Sequence, residues 1–307
     1  MIKEMMNKNP VEIPISATDT KKSCRVAVIG GGPAGIATAV QLKRSGLKPV
    51  LFEKNKIGGL LPNANWVENY PGFPHGITGP RLASVFADHL ARYNLEPVYK
   101  EILKAEFRDD YWLLFSDKTE YKFNYMVIAT GTRPKTDIFT RYSRRTFYDI
   151  ASLPKAKDLE IGIIGGGDAA FDYALNLSRH HRVHLFYRSK DPRCLSLLQE
   201  RADKTPLISI YPGYSVKEVF DKDEKVHVNM ESKNDVSKEY FFDYLLIAIG
   251  RTPSQPEIVI SDGKIGPSRL IFAGDVKNGH YRQTAIAVGD GIKSAMEILF
   301  ALEKMDT

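Results

Sequence analysis

At 307 residues and 43% apolar content the chain is long enough for two domains with separate cores, and its balance is modestly basic, with a net charge of +6. No segment approaches the roughly 20 consecutive apolar residues that span a bilayer, and the opening MIKEMMNKNPVEIPISATDTKK, residues 1–22, is too polar for a secretion signal. A soluble, cytoplasmic protein with a loosely held N-terminal arm is expected. Its two cysteines, Cys24 and Cys194, exclude a disulfide framework and a metal knuckle, so no metal is expected. The bases are dispersed and no groove-reading motif accompanies them, which speaks against nucleic acid and for an acidic protein partner.

The first recognisable unit is CRVAVIGGGPAGIATAVQLKRSGLKPVLFEK. A β-branched run turns through glycines, continues at helical apolar spacing, and ends in a second apolar run closed by Glu53 and Lys54, which predicts a βαβ unit. Its loop fits G-x-G-x-x-G as Gly30, Gly32 and Gly35, with Pro33 and Ala34 opening the helix. The first glycine makes the turn, the second lets a pyrophosphate approach the backbone, and the third lets helix pack on strand. Glu53 follows Gly30 by 23 positions, where a carboxylate can accept from ribose hydroxyls. Short alternating strands come next, EILKAEF, YWLLFS and EYKFN, and the stretch closes on YMVIATGTRP.

The same plan returns 135 positions later as EIGIIGGGDAAFDYALNLSRHHRVHLFYRS. Here Gly165, Gly167 and Ala170 take the loop positions, with Asp168 and Ala169 between, and a second nucleotide is implied. Counting 23 from Gly165 reaches Arg188 in place of an acid, and a guanidinium favours the 2′-phosphate of NADP(H). YSVKEVF, KVHVNM and KEYFFD follow, and YLLIAIGRTP closes the unit. The tail SRLIFAGDVKNGHYRQTAIAVGDGIKSAMEILFALEKM supplies one strand, an Ala-Gly-Asp turn and a long amphipathic helix, but no nucleotide loop. The expected fold is α/β: two Rossmann-like, three-layer ββα nucleotide-binding domains. The second, residues 135–255, is inserted into the first, residues 23–134 with 256–307.

These motifs together resemble the low-molecular-weight thioredoxin reductases and their relatives among two-nucleotide flavoproteins. The most specific pieces are IGGLLPNANWVENYPGFP at residues 57–74, the Ala129-Thr130-Gly131 turn, AGDV at 273–276, and YRQTAIAVGDG at 281–291. The resemblance implies FAD in the first domain, NADP(H) in the second and a homodimer. It also implies flavin contacts from Gly58, Gly59, Leu60 and Asn69, from Gly274 and Asp275, and from Arg282, Gln283 and Thr284. Arg193, beyond Arg188, belongs with the second nucleotide, but Ser189 stands where the family places a phosphate-binding arginine.

One departure is decisive for chemistry. The family carries Cys-x-x-Cys just before the second glycine loop, and those positions are Tyr148 and Ala151 here, within RTFYDIASLP. Neither cysteine of the chain supplies such a couple. The expectation is an NAD(P)H oxidoreductase of thioredoxin-reductase type without a redox dithiol, passing electrons from FAD directly to a small acidic redox protein or a small-molecule acceptor. One alternative is a ferredoxin or flavodoxin reductase; such relatives also lack the dithiol, yet carry an extension past the last helix, whereas this sequence ends EKMDT. The other is a non-catalytic flavin-binding redox sensor.

Overall fold

The computed structural model describes residues 25–117, 119–136, 143–232, 236–261 and 269–304; Cys24 and the residue 1–22 arm lie outside them. Val26 to Ile29 carry no polar side chain on either face, the pattern of a strand covered on both sides, and all four are buried. They form β1 (Val26–Ile29), followed by α1 (Pro33–Arg44) and β2 (Val50–Glu53). Then come α2 (Gly79–Arg92), β3 (Val98–Tyr99), β4 (Lys104–Arg108), β5 (Tyr111–Phe115), β6 (Glu120–Phe123), β7 (Tyr125–Ile128) and β8 (Thr132–Pro134).

The second unit repeats this order. β9 (Thr146–Phe147) leads into β10 (Glu160–Ile164), α3 (Asp168–Leu177), β11 (Arg182–Tyr187), α4 (Ser196–Asp203) and β12 (Ile208–Pro212). β13 (Tyr214–Lys222), β14 (Lys225–Ser232), β15 (Ser237–Phe242), β16 (Tyr244–Ile247) and β17 (Arg251–Pro253) complete it. The chain then returns through β18 (Glu257–Ile260), β19 (Leu270–Phe272) and α5 (Thr284–Glu303).

The two parallel sheets, β3-β2-β1-β7-β19 and β12-β11-β10-β16-β9, are wound alike. β19 pairs with β7 and β18 with β4, so the C-terminal segment completes the first unit and the second is an insertion. Each sheet lies between helices and an antiparallel meander, giving three layers and two cores per unit. Val28, Leu42, Phe86 and Ile298 occupy the helix side of the first sheet, and Phe52, Trp112 and Phe123 the meander side. Phe171 and Leu185 fill the helix side of the second, and Phe186, Val228 and Phe242 its meander side.

Two features go beyond the sequence reading. Residues 79–92 form α2, with Leu82, Phe86 and Leu90 buried at a four-residue spacing, where no element was predicted. The matched ends TGTRP and GRTP also pair with each other: β8 and β17 form an antiparallel ribbon, Arg251 opposite Pro134 and Pro253 opposite Thr132, where the chain crosses between units.

Candidate nucleotide sites and the seam between them

The first glycine loop joins β1 to α1. A Cβ on Gly35 would run into the Gly30 carbonyl, so the helix can meet the strand turn only through glycine. At Gly32, by contrast, a Cβ would meet nothing nearer than the Gly59 Cα at 3.9 Å, which leaves the backbone open to a ligand. The loop lies beside Gly58, whose N–H donates to the Gly31 carbonyl at 2.8 Å, so the structure brings Gly30–Gly35 and Gly58–Leu60 together. Glu53 is buried at the tip of β2, its two carboxylate oxygens accepting from the N–H of Gly31 at 2.6 Å and of Asn55 at 2.8 Å. Each oxygen keeps a lone pair for a further donor. Lys54 turns to the surface instead and pairs with Glu101 at 3.1 Å.

The second loop joins β10 to α3. Gly167, the N-cap of α3, faces open space, whereas Ala170 fits under the turn as a buried residue. Arg193 is brought to this loop through its backbone, its N–H donating to the Gly166 carbonyl at 2.6 Å, and the Asp168 carboxylate accepts from the Leu195 N–H at 2.8 Å. Arg188 follows the end of β11 and is exposed, as is Arg193, so both guanidinium groups stand at the rim of the loop.

The predicted flavin-edge residues also converge. Asn69 donates from Nδ2 to Gln283 Oε1 at 2.9 Å although 214 positions separate them. Gln283 is the N-cap of α5, so Thr284 opens a helix whose positive end lies at this edge. The Ala129-Thr130-Gly131 turn is tied to the returning crossover: the Thr130 hydroxyl donates to the Ser254 carbonyl, and the Ser254 N–H to the Gly131 carbonyl at 3.0 Å. Arg282 Nε is buried without a hydrogen-bond partner, and burial pushes the Asp275 carboxyl above the usual carboxylate range against the pull of Arg282 and Arg251. A buried orphan donor, a half-buried carboxylate and open glycine backbone are what a dinucleotide with a polar arm would satisfy, so the residues present fit FAD.

Sequence reasoning missed the residues that hold these pieces in place. Asp290 on α5 accepts from the Gly274 N–H at 3.0 Å and from Asn278 Nδ2 at 2.6 Å, fixing the turn that carries Asp275. Arg251 binds Thr132 at Oγ1 and at its carbonyl, both at 3.0 Å, and Asp149 at 3.1 Å. Asn63 donates to Asp149 at 3.2 Å and accepts from the Ala151 N–H at 3.0 Å. The segment around Asp149 and Ala151 is therefore pinned to the first unit by backbone and carboxylate. Phe147 sets its edge on Tyr244, centroids 5.5 Å apart, and Tyr148 packs against the cluster around Phe186 and Phe242.

Below this lies a second set of contacts across the seam. Asp172 on α3 accepts from the Asn65 N–H at 2.8 Å, Arg179 donates to Asn65 Oδ1 at 2.7 Å, and Arg201 on α4 grips Glu68 with both terminal nitrogens at 2.7 and 3.0 Å. These residues line a cavity of about 440 Å³. Burial pushes the Asp172 carboxyl up to about 6 against the backbone N–H groups of Asn65 and Trp66, and burial likewise raises the Cys194 thiol. Among the described residues no cluster of His, Cys, Asp or Glu is placed to hold a metal ion, and no helix is long and apolar enough to cross a membrane.

Two nucleotide loops on twin ββα units, each opening a helix beside an open glycine backbone, define the class: a two-nucleotide, FAD- and NAD(P)H-dependent flavoprotein oxidoreductase. Residues 24–291 match the family described as pyridine nucleotide-disulphide oxidoreductase, and the chain belongs to it. It is 28% identical to a thioredoxin reductase of Mycoplasma genitalium over 89% of this chain and 93% of that one. Among solved structures, the thioredoxin reductase of Lactococcus lactis in the FR conformation superposes with a TM-score of 0.81 at 28% identity, covering 92% of this chain and 100% of that one. The thioredoxin reductase of T. acidophilum gives a TM-score of 0.79 at 26% identity, covering 90% of this chain and 97% of that one.

Proposed function

We propose that this chain is an NADPH-dependent flavoprotein reductase that delivers electrons from FAD straight to an external acceptor, with no dithiol of its own. The observation that carries the reading is Tyr148 and Ala151 at the family's dithiol positions, in a chain whose cysteines stand 170 positions apart. Cys194 adds support, because a thiol whose ionisation burial opposes is a poor relay. In this reading residues 23–134 with 256–307 hold FAD and residues 135–255 hold NADPH. Bound FAD supplies a ring that takes two electrons from a nicotinamide and releases them to one- or two-electron acceptors.

The chain's own residues supply binding, orientation and charge. The loop Gly30–Gly35 and the α1 N-terminus take the pyrophosphate, Glu53 the adenosine ribose, and Asp275 with Arg282 the polar arm. The Asn69–Gln283 pair and the first turn of α5 face the ring edge, favouring the negative charge of the reduced form. Gly165, Gly167 and the α3 N-terminus take the second pyrophosphate, and Arg188 and Arg193 the 2′-phosphate. The basic balance suits an acidic redox protein as acceptor in a reducing, cytoplasmic compartment. A homodimer is supported by an apolar stripe along α5, where Ile292, Met296 and Phe300 are exposed; Met296→Glu with Phe300→Glu is expected to halve the mass measured by light scattering.

The test is anaerobic reduction by NADPH, followed by reoxidation with thioredoxin, ferredoxin, flavodoxin and oxygen in parallel. Bleaching by NADPH and turnover with a non-disulfide acceptor are expected. A flavin that stays oxidised contradicts the reading and favours the redox-sensor alternative.

A further inference from the structure

α3 opens on the second glycine loop at Asp168, and Asp172 lies four residues along it, about one helical turn of 5.4 Å from that loop. From there its carboxylate crosses to the other unit and accepts the backbone N–H groups of Asn65 and Trp66. Those residues follow Gly58 and Gly59 by a short 3₁₀ turn, Leu61–Asn63. A single side chain thus ties the helix that receives one nucleotide to the segment that runs past the other. It does so against a desolvation penalty, which a merely ornamental surface acid would not carry.

We propose that Asp172 is a positioning residue for electron transfer between the two nucleotides: by holding Asn65 and Trp66 it sets the distance from the second glycine loop to the Gly58–Gly59 segment. This rests on the reading that NADPH in the second unit reduces FAD in the first. The charged groups around the carboxylate are Asp168 on its own helix, Arg179 just past the end of that helix, Arg201 on α4 with Lys204 capping it, and Glu68 across the seam. Arg179 is itself engaged with Asn65, and Arg201 with Glu68, so two neighbouring ties grip the same segment while Asp172 holds its backbone.

The protein carries its own reporter. It has two tryptophans; Trp112 is fully buried in the first meander, and Trp66 stands at the seam, 40% exposed. In the FAD-loaded protein, Asp172→Ala is expected to slow flavin reduction at saturating NADPH by about tenfold or more, since misplacement by an ångström can cost a factor of about a hundred. NADPH affinity and reduction by dithionite should hold, and acrylamide quenching of Trp66 should rise. Asp172→Asn, which keeps an acceptor oxygen, should restore most of the rate and abolish the shift of Trp66 emission between pH 5 and 7 that the unsubstituted protein should show.

An unchanged NADPH rate in Asp172→Ala would overturn the proposal, as would a slowed rate with unchanged Trp66 quenching. If the unsubstituted protein is not reduced by NADPH, the functional reading fails and the proposal with it; if it is reduced and only the variant arms disagree, the proposal fails alone.

Discussion

The two nucleotide units share a plan and differ where it touches the ligand. In the first, Gly35 sits against the Gly30 carbonyl with no room for a Cβ, and Glu53 is buried with both oxygens already engaged by backbone N–H groups. In the second, Ala170 takes the third loop position and the residue after the strand is an exposed arginine, Arg188. The first loop is locked by its own hydrogen bonds and suits a cofactor held throughout turnover. The second leaves its charges at the rim, as a coenzyme that must exchange requires.

The largest break in this comparison is Gly35→Ala. Overpacking a tight contact costs about 1–3 kcal/mol or more, so FAD should dissociate on gel filtration and the apoprotein should rebind it about a hundredfold more weakly. Next comes the seam. Asp172 has its carboxyl raised from 3.8 to about 6 in the folded chain, so its stabilising contribution is fully present below 3.8 and lost as pH rises through about 6. At about 1.4 kcal/mol per pH unit the whole span is at most about 3 kcal/mol. Thermal unfolding should show Asp172→Asn gaining on the unsubstituted protein as pH rises from 4 to 8, and parallel curves would refute this.

Arg188→Ala sharpens the contrast from the other side. A hydrogen bond to a charged group is worth about 1.5–3 kcal/mol, so NADPH affinity should fall at least about tenfold while NADH affinity holds, as read by titration; an equal fall for both would sink the assignment. Ala170→Gly should do least. Glycine in a helix costs about 0.5–1 kcal/mol, so a small drop in thermal midpoint with NADPH affinity intact is expected.

Local chemistry was readable from the chain and relations between units were not. The glycine loops and the meander strands are each set by residues within a few positions of one another, and they stand where the alternation and turn signals put them; the C-terminal return, which pairs Leu270 with Met126, followed instead from the tail carrying no nucleotide loop of its own. α2 carries a local signal as well, with Leu82, Phe86 and Leu90 at a four-residue spacing and Pro80 in its first turn, so this helix too was legible in the chain. Asp290 lay inside a motif already quoted, yet nothing local shows that it reaches back 16 positions to Gly274. Asp172 and Asn65 are 107 positions apart in different units, and only the way those units dock makes one the partner of the other.

The central claim is that reducing equivalents leave from FAD without a protein dithiol. Its most direct test is a Cys24→Ser, Cys194→Ser protein, cleared of every thiol it has, assayed for NADPH-driven turnover with its preferred acceptor. Turnover within about twofold of the unsubstituted protein is the predicted result. Retained flavin bleaching by NADPH with turnover abolished would show that a thiol stands between flavin and acceptor, and the claim would be wrong.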